Sequence, residues 1–142
     1  MRGGMTHPRT LIILGLCAGT GAALSFPGWG LFPLAWVALA PLFWATNRVA
    51  PGRSALVFFV AGWAFYSLLL QWLLANVYWA GGWAVVGHQA LCVAMAAYWA
   101  GFGALRGWLG RRDFGLWSPF VLALMWAVME WLQGVLFTGF GW

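Results

Sequence analysis

The chain has 142 residues, of which 64% are hydrophobic, 19% aromatic and only 6% charged, with a net charge of +5. A soluble domain carries about 25% charged residues because a water-facing surface has to be hydrated, so this composition excludes a soluble fold and leaves a surface that faces lipid. All seven basic residues are Arg, and they fall between apolar runs instead of forming a basic face with aromatic readers beside it, so no nucleic-acid partner is expected.

Five apolar segments follow one another, at about 10–27, 31–47, 54–75, 83–105 and 116–137, each near the length that crosses a hydrocarbon core of ~30 Å. The first two are short and share the turn Ser25-Phe26-Pro27-Gly28-Trp29-Gly30, where Pro and Gly end one helix and admit the reversal into the next. A cleaved signal peptide over the first 30 residues is the competing reading. It is disfavoured because Leu16 precedes Cys17 where a lipoprotein signal has a small residue, and because cleavage would strand the second segment in the wrong orientation. Gly15 and Gly19 form a small-xxx-small pair, which packing between helices of one monomer explains. The third segment carries Gly62-Trp63, Gln71 and Trp72, with Asn76 beyond it and the Gly81-Gly82 turn leading into the fourth.

The Arg positions orient these segments. Arg2 and Arg9 precede the first, Arg48 and Arg53 lie between the second and third, and Arg106, Arg111 and Arg112 lie between the fourth and fifth. The opposite connections, 25–33, 76–82 and 138–142, carry no charge. The positive-inside rule then places the N-terminus in the cytoplasm and the C-terminus outside it. The expected fold is an all-α integral membrane bundle of about five transmembrane helices.

Glu130 is the residue that this composition singles out. A carboxylate within a span costs ~2.5 kcal/mol or more at mid-bilayer unless it is paired or protonated. Trp126 at i−4 and Gln133 at i+3 share its helix face, so it reads either as a polar anchor facing the bundle interior or a headgroup pocket, or as a structural hydrogen-bond partner. Gln71 and Asn76 read as ties between helices, and His88 as an interfacial side chain. Cys17 and Cys92 read as small buried hydrophobes, with no disulfide and no His placed to form a thiolate. The chain has no Lys, and its two acids, Asp113 and Glu130, belong to opposite membrane faces, so no paired carboxylates exist. Neither a metal nor a cofactor is expected, nor a self-contained catalytic site.

The order of motifs carries a resemblance. Leu24-Ser25-Phe26 with Pro33 seven residues beyond Phe26, then Gly62-Trp63, Trp72 and Gly81-Gly82, then Trp126-x-x-x-Glu130 followed by Thr138-Gly139-Phe140-Gly141-Trp142, is similar to the N-terminal membrane portion of the apolipoprotein N-acyltransferase family. The resemblance covers essentially the whole chain and implies a bacterial inner-membrane, multi-pass protein. It implies an activity in which an acyl chain passes from phospholipid to the α-amine of the lipid-modified N-terminal Cys of an apolipoprotein, through a thioester on a Cys of a nitrilase-like domain. The Glu, Lys and Cys of that domain have no counterparts within these 142 residues, so the chain alone is expected to be inactive. Carried over residue by residue, Trp142, Phe140 and Thr138 resemble the loop beside the lipid entrance and Glu130 the acid supporting it, while Trp72, Gly81, Gly82, Pro27 and Pro33 are structural. Two positions depart from the family pattern: Gln133 stands where an Arg is common, and Gly141 replaces the usual Pro. The alternatives are a non-catalytic scaffold for a separately encoded catalytic subunit, and a small transporter, for which Gln71, Glu130 and Gln133 offer too few polar residues to line a path.

Overall fold

The computed structural model describes residues 7–47, 49–109 and 115–136, and these are helical with no strand among them. Helix α1, Pro8–Leu24, opens on a proline whose missing N–H falls where the first turn has no acceptor for it. It closes with the Ser25 hydroxyl donating to the Ala22 carbonyl at 2.6 Å. Two short helices follow, α2 (Leu34–Val37) and α3 (Ala40–Ala45). Next come α4 (Pro51–Leu69), a 3-10 segment over Gln71–Asn76, α5 (Val77–Ala80), α6 (Trp83–Leu109), and α7 (Ser118–Val135) behind a 3-10 turn at Gly115–Trp117.

The core is α4 held between α1 and α6. Hydrophobicity does not drive helices together where the surroundings are equally apolar, so close contact depends on small residues that let backbones approach. Gly15 and Gly19 supply that approach on α1: a Cβ at Gly19 would lie 2.0 Å from the Ala61 carbonyl oxygen, and one at Gly15 would lie 2.8 Å from that of Val57. The small-xxx-small pair therefore serves packing inside the monomer, as its sequence reading expects. On the other side of α4, Gly62 makes room for the Trp99 ring, and Gly103 approaches the Ser54 carbonyl. The buried stripe of α6 runs His88, Cys92, Met95, Ala96, Trp99, Phe102, Gly103, Arg106, a three-and-four spacing that keeps one face on α4.

Among the described residues, three helices are long and apolar enough to cross a membrane: Pro51–Leu69, Trp83–Leu109, and Gly115–Val135. At 1.5 Å per residue the 27 residues of α6 extend about 40 Å, more than the hydrocarbon thickness and enough for a tilted crossing. Helix α1, with 17 residues, reaches about 26 Å. The segment expected as one helix over 31–47 is instead two pieces. Pro41 has no N–H to return to the Val37 carbonyl, and the chain turns at Ala38 and Leu39 before α3 begins.

Two other boundaries differ from expectation. The third segment ends as an α-helix at Leu69, not at 75; Gln71, Trp72 and Asn76 lie in the 3-10 segment, and Asn76 bonds back to the Leu73 carbonyl. The fourth segment continues four residues beyond 105, which brings Arg106 into the last turn of α6 instead of the loop. There it is buried, donates from Nη2 to the Phe43 carbonyl, and lies over the Phe43 ring at 5.6 Å from its centroid. The last carbonyls of a helix lack intrahelical donors, and in a membrane bundle protein groups must satisfy them. Arg106 supplies such a donor to Phe43, and the Thr46 hydroxyl adds a second bond, at 2.7 Å, to the Leu42 carbonyl that the Thr46 N–H already reaches.

Candidate functional site

Helix α7 packs on the core through Leu122, Met125, Trp126 and Met129, with Gln133 buried on the same side, the three-and-four spacing of a single helix face. Trp126 packs edge-on against Phe43, Trp99 and Phe102, with ring centroids 5.1–6.0 Å apart. Edge-to-face pairs of this kind contribute about 0.5–1.5 kcal/mol beyond the area they bury. Gln133, buried, donates from Nε2 to the Tyr66 hydroxyl of α4 and ties the outer helix to the core across a span of sequence no helix could bridge alone.

Between that face and the end of α1 lies a cavity of about 210 Å³. Its walls are aromatic and aliphatic: Phe26, Leu39, Phe65, Trp99, Trp126 and Met129. Four polar side chains reach it, Ser25 from the end of α1, Tyr66 from α4, and Glu130 and Gln133 from α7. Phe65 stacks on Trp99 at 5.3 Å, and Phe26 meets Phe65 edge-on at 5.5 Å, so the floor is a continuous aromatic surface. A volume below the ~300–1,000 Å³ of drug-sized pockets suits a headgroup or a few methylenes.

Glu130 is solvent-exposed on the bare bundle, and its Oε1 accepts the Trp126 indole N–H at 2.8 Å. The i−4 partner expected from sequence is thus the one it has. Among the described residues, no Arg or His lines the cavity. Gln133, at the position where the resemblance expects an Arg, contributes a neutral tether to Tyr66 in place of an ion pair.

The remaining sequence-derived residues divide. Pro27 and Pro33 flank the exposed turn between α1 and α2, with Gly30 at φ 72° between them. Gly81, at φ 56°, takes a backbone conformation that L side chains rarely adopt, and with Gly82 it reverses the chain between α5 and α6. Trp72 is 54% exposed, away from the cavity. Thr138, Phe140, Gly141 and Trp142 lie outside the described residues, as do Arg2, Arg48, Arg111, Arg112 and Asp113.

Sequence reasoning passes over Tyr66 and Trp99; Trp99 faces Gly62 of α4, a relation that spacing along one helix does not carry. It also misses a pairing on α6. His88 is buried, not interfacial, and its Nε2 lies 3.7 Å from the Cys92 sulfur, while Gln89 bridges its Nδ1 to the Trp63 indole of α4. The expectation that no His stands near a cysteine is therefore corrected: the i, i+4 spacing on one helix places it there. Both cysteines are free thiols.

A bundle of apolar, membrane-length helices enclosing an aromatic cavity with one carboxylate at its edge is a helical integral membrane protein. Residues 18–142 match the model of the apolipoprotein N-acyltransferase N-terminal domain, and the chain belongs to that family. It is 32% identical to the apolipoprotein N-acyltransferase of Haemophilus ducreyi over 140 residues, 97% of this chain and 28% of that protein. Against the enzyme of Geobacter metallireducens the identity is 32% over 95% of this chain and 26% of the relative, and against that of Nitrosomonas europaea it is 32% over 92% and 27%. The chain thus spans about a quarter of the length of the curated relatives it matches.

Proposed function

We propose that this chain is the membrane portion of an acyltransferase that moves an acyl chain from a phospholipid to the N-terminal Cys α-amine of an apolipoprotein. Its task is to anchor the enzyme in the bacterial inner membrane and to present lipid at the cavity beside Glu130. The observation that carries this reading is that cavity: aromatic and aliphatic walls, set between α1, α4, α6 and the loosely held α7, with polar groups from three helices converging on it. Apolar walls accept the upper methylenes of a lipid while the polar groups orient its head.

The chain supplies positioning and no covalent chemistry. It contains no Lys, its buried thiol Cys92 lies outside the cavity, and Glu130 has no second carboxylate to exchange protons with. Expressed alone in a membrane it is expected to insert and to leave a diacylglyceryl peptide unacylated; measurable acyl transfer by the purified 142-residue chain overturns this division of labour. A photoactivatable phospholipid crosslinking to Trp126 or Met129, identified by mass spectrometry, tests the lipid site itself. With the N-terminus cytoplasmic and five crossings, a phosphatase fused after Trp142 is active and a fusion in the 48–53 connection is not. The reverse pattern reverses the topology.

A further inference from the structure

We propose that residues 72–83, at the end of the bundle opposite Arg53 and Arg106, form a platform that lies in the headgroup–acyl boundary of the membrane and binds the lipid surface there through aromatic rings, without charge. The segment takes in most of the 3-10 stretch Gln71–Asn76, the short helix α5 and the Gly81-Gly82 turn. Its large side chains are bare on the bundle: Tyr78 is 85% exposed and Trp83 79%, with Trp72 and Trp79 exposed beside them. Tyr78 and Trp79 meet edge-on at 5.0 Å. Val85 and Val86 continue this apolar surface onto the exposed side of the spanning helix α6.

Two helices measure the depth of this segment. At the arginine end α4 and α6 are level, since a Cβ on Gly107 would lie 2.7 Å from the Pro51 Cα. From Arg106, about 20 helical residues cross a hydrocarbon core of ~30 Å, which puts the far boundary near Val86. From Arg53, α4 to Leu69 and then the 3-10 stretch, with its longer rise of ~2.0 Å per residue, reach the same depth near Trp72. The residues between those two points therefore fall in the interfacial layer. Backbone geometry agrees: α-helix gives way to 3-10 after Leu69, and Gly81 takes φ 56°. Irregular backbone facing lipid is not tolerated in hydrocarbon, where free N–H and C=O groups find no water, whereas the hydrated interface accepts it.

Chemistry selects lipid as the partner. No Asp, Glu, Lys or Arg occurs between Arg53 and Arg106, so the platform offers neither an anionic nor a cationic surface anything to pair with. Trp and Tyr combine an apolar ring with one polar atom, and they favour the layer where acyl chains meet headgroups. The test places a nitroxide on the full chain in phosphatidylcholine bilayers, at Trp79→Cys, Trp83→Cys or Val93→Cys, with the exposed Cys17 replaced by Ala. Power saturation against oxygen and a nickel chelate reads depth. Cys92 is buried, and the Cys17→Ala parent sets the background label. Positions 79 and 83 are expected within ~5–10 Å of the headgroup level, the depth at which interfacial helices lie. Position 93, about 20 Å along α6 from Arg106, is expected in hydrocarbon.

Chelate access as free as in bulk water at 79 and 83 puts the platform clear of lipid, as a face for a protein partner, and overturns the proposal. The depth of position 93 at both makes the segment part of a span and overturns it equally. Replacing about half of the lipid by phosphatidylglycerol, or raising salt to about 1 M, is expected to leave both depths unchanged, because a contact without charge is not screened; a depth that follows either change overturns the uncharged contact. The wild-type chain gives a second reading that needs no variant. A phospholipid with a diazirine next to its glycerol is expected to label Tyr78, Trp79 or Trp83, and one with the diazirine at the end of its acyl chain is not. Labelling of these residues by the second probe alone, or by neither, overturns the proposal.

Discussion

The molecule has a dense half and an open half, built by different means. In the dense half α1, α4 and α6 meet backbone to backbone at Gly15, Gly19 and Gly103, while Gly62 admits the Trp99 ring. In the open half α2, α3 and α7 are attached by large side chains: Trp126 against three rings, Gln133 against Tyr66, Arg106 against the Phe43 carbonyl. Of the apolar stretch that qualifies each helix as a span, 44% is buried for α4 and 6% for the α7 segment. The reason is chemical. Small residues allow dispersion contacts along a whole helix, whereas α7 has no glycine in contact with a neighbour and touches at a few points. The cavity lies along the open half, where separating helices costs least.

The sharpest way to break this comparison is to place a side chain in the dense half. Gly19→Val drives a Cβ against the Ala61 carbonyl, which is backbone and cannot rotate away. A loss of about 3 kcal/mol or more is expected, at the upper end of overpacking costs, read as loss of the cooperative thermal transition by circular dichroism in detergent. Gly62→Ala meets the Trp99 ring, which can tilt, so about 1–2 kcal/mol is expected. Equal effects at the two glycines would contradict the backbone-contact account.

Removing the guanidinium in Arg106→Ala leaves the Phe43 carbonyl with only the long 3.5 Å bond from the Thr46 hydroxyl and empties the space over its ring. It is expected to cost about 1.5–3 kcal/mol, with α3 losing protection in hydrogen exchange before α4 does. Gln133→Leu removes the amide donor to the Tyr66 hydroxyl, which keeps its bond with Trp99, and loosens α7 by about 0.6 kcal/mol, the average for bonds across membrane helices. Adding Tyr66→Phe to it costs less than the sum of the two single losses if the bond is the tether. The smallest effect belongs to Trp79→Ala: this ring is 84% exposed on the bare bundle and lies outside the core, so the unfolding midpoint is expected to shift by no more than about 0.5 kcal/mol of stability allows.

Composition alone dictated that this chain lives in lipid, because nine charges cannot hydrate 142 residues. Apolar run lengths marked five segments, of which three are membrane-length helices among the described residues, with ends off by up to six positions at Leu69, and the isolated carboxylate singled out Glu130. The i, i+4 and i, i+3 relations to Trp126 and Gln133 were legible too, since helical geometry is local. Local pattern could not reveal that Pro41 splits the second segment, that Arg106 turns inward, or that His88 meets Cys92 in a buried pair. A hydropathy run has no direction around its axis, and which face of α6 is inside is settled only when α4 presents Gly62 to Trp99. Tertiary structure alone brought Ser25, Tyr66, Glu130 and Gln133, up to 108 positions apart in the chain, to one cavity. Convergence of that kind depends on how helices cross, and crossing is decided by side-chain shape at the interface, which sequence spacing along one helix does not encode.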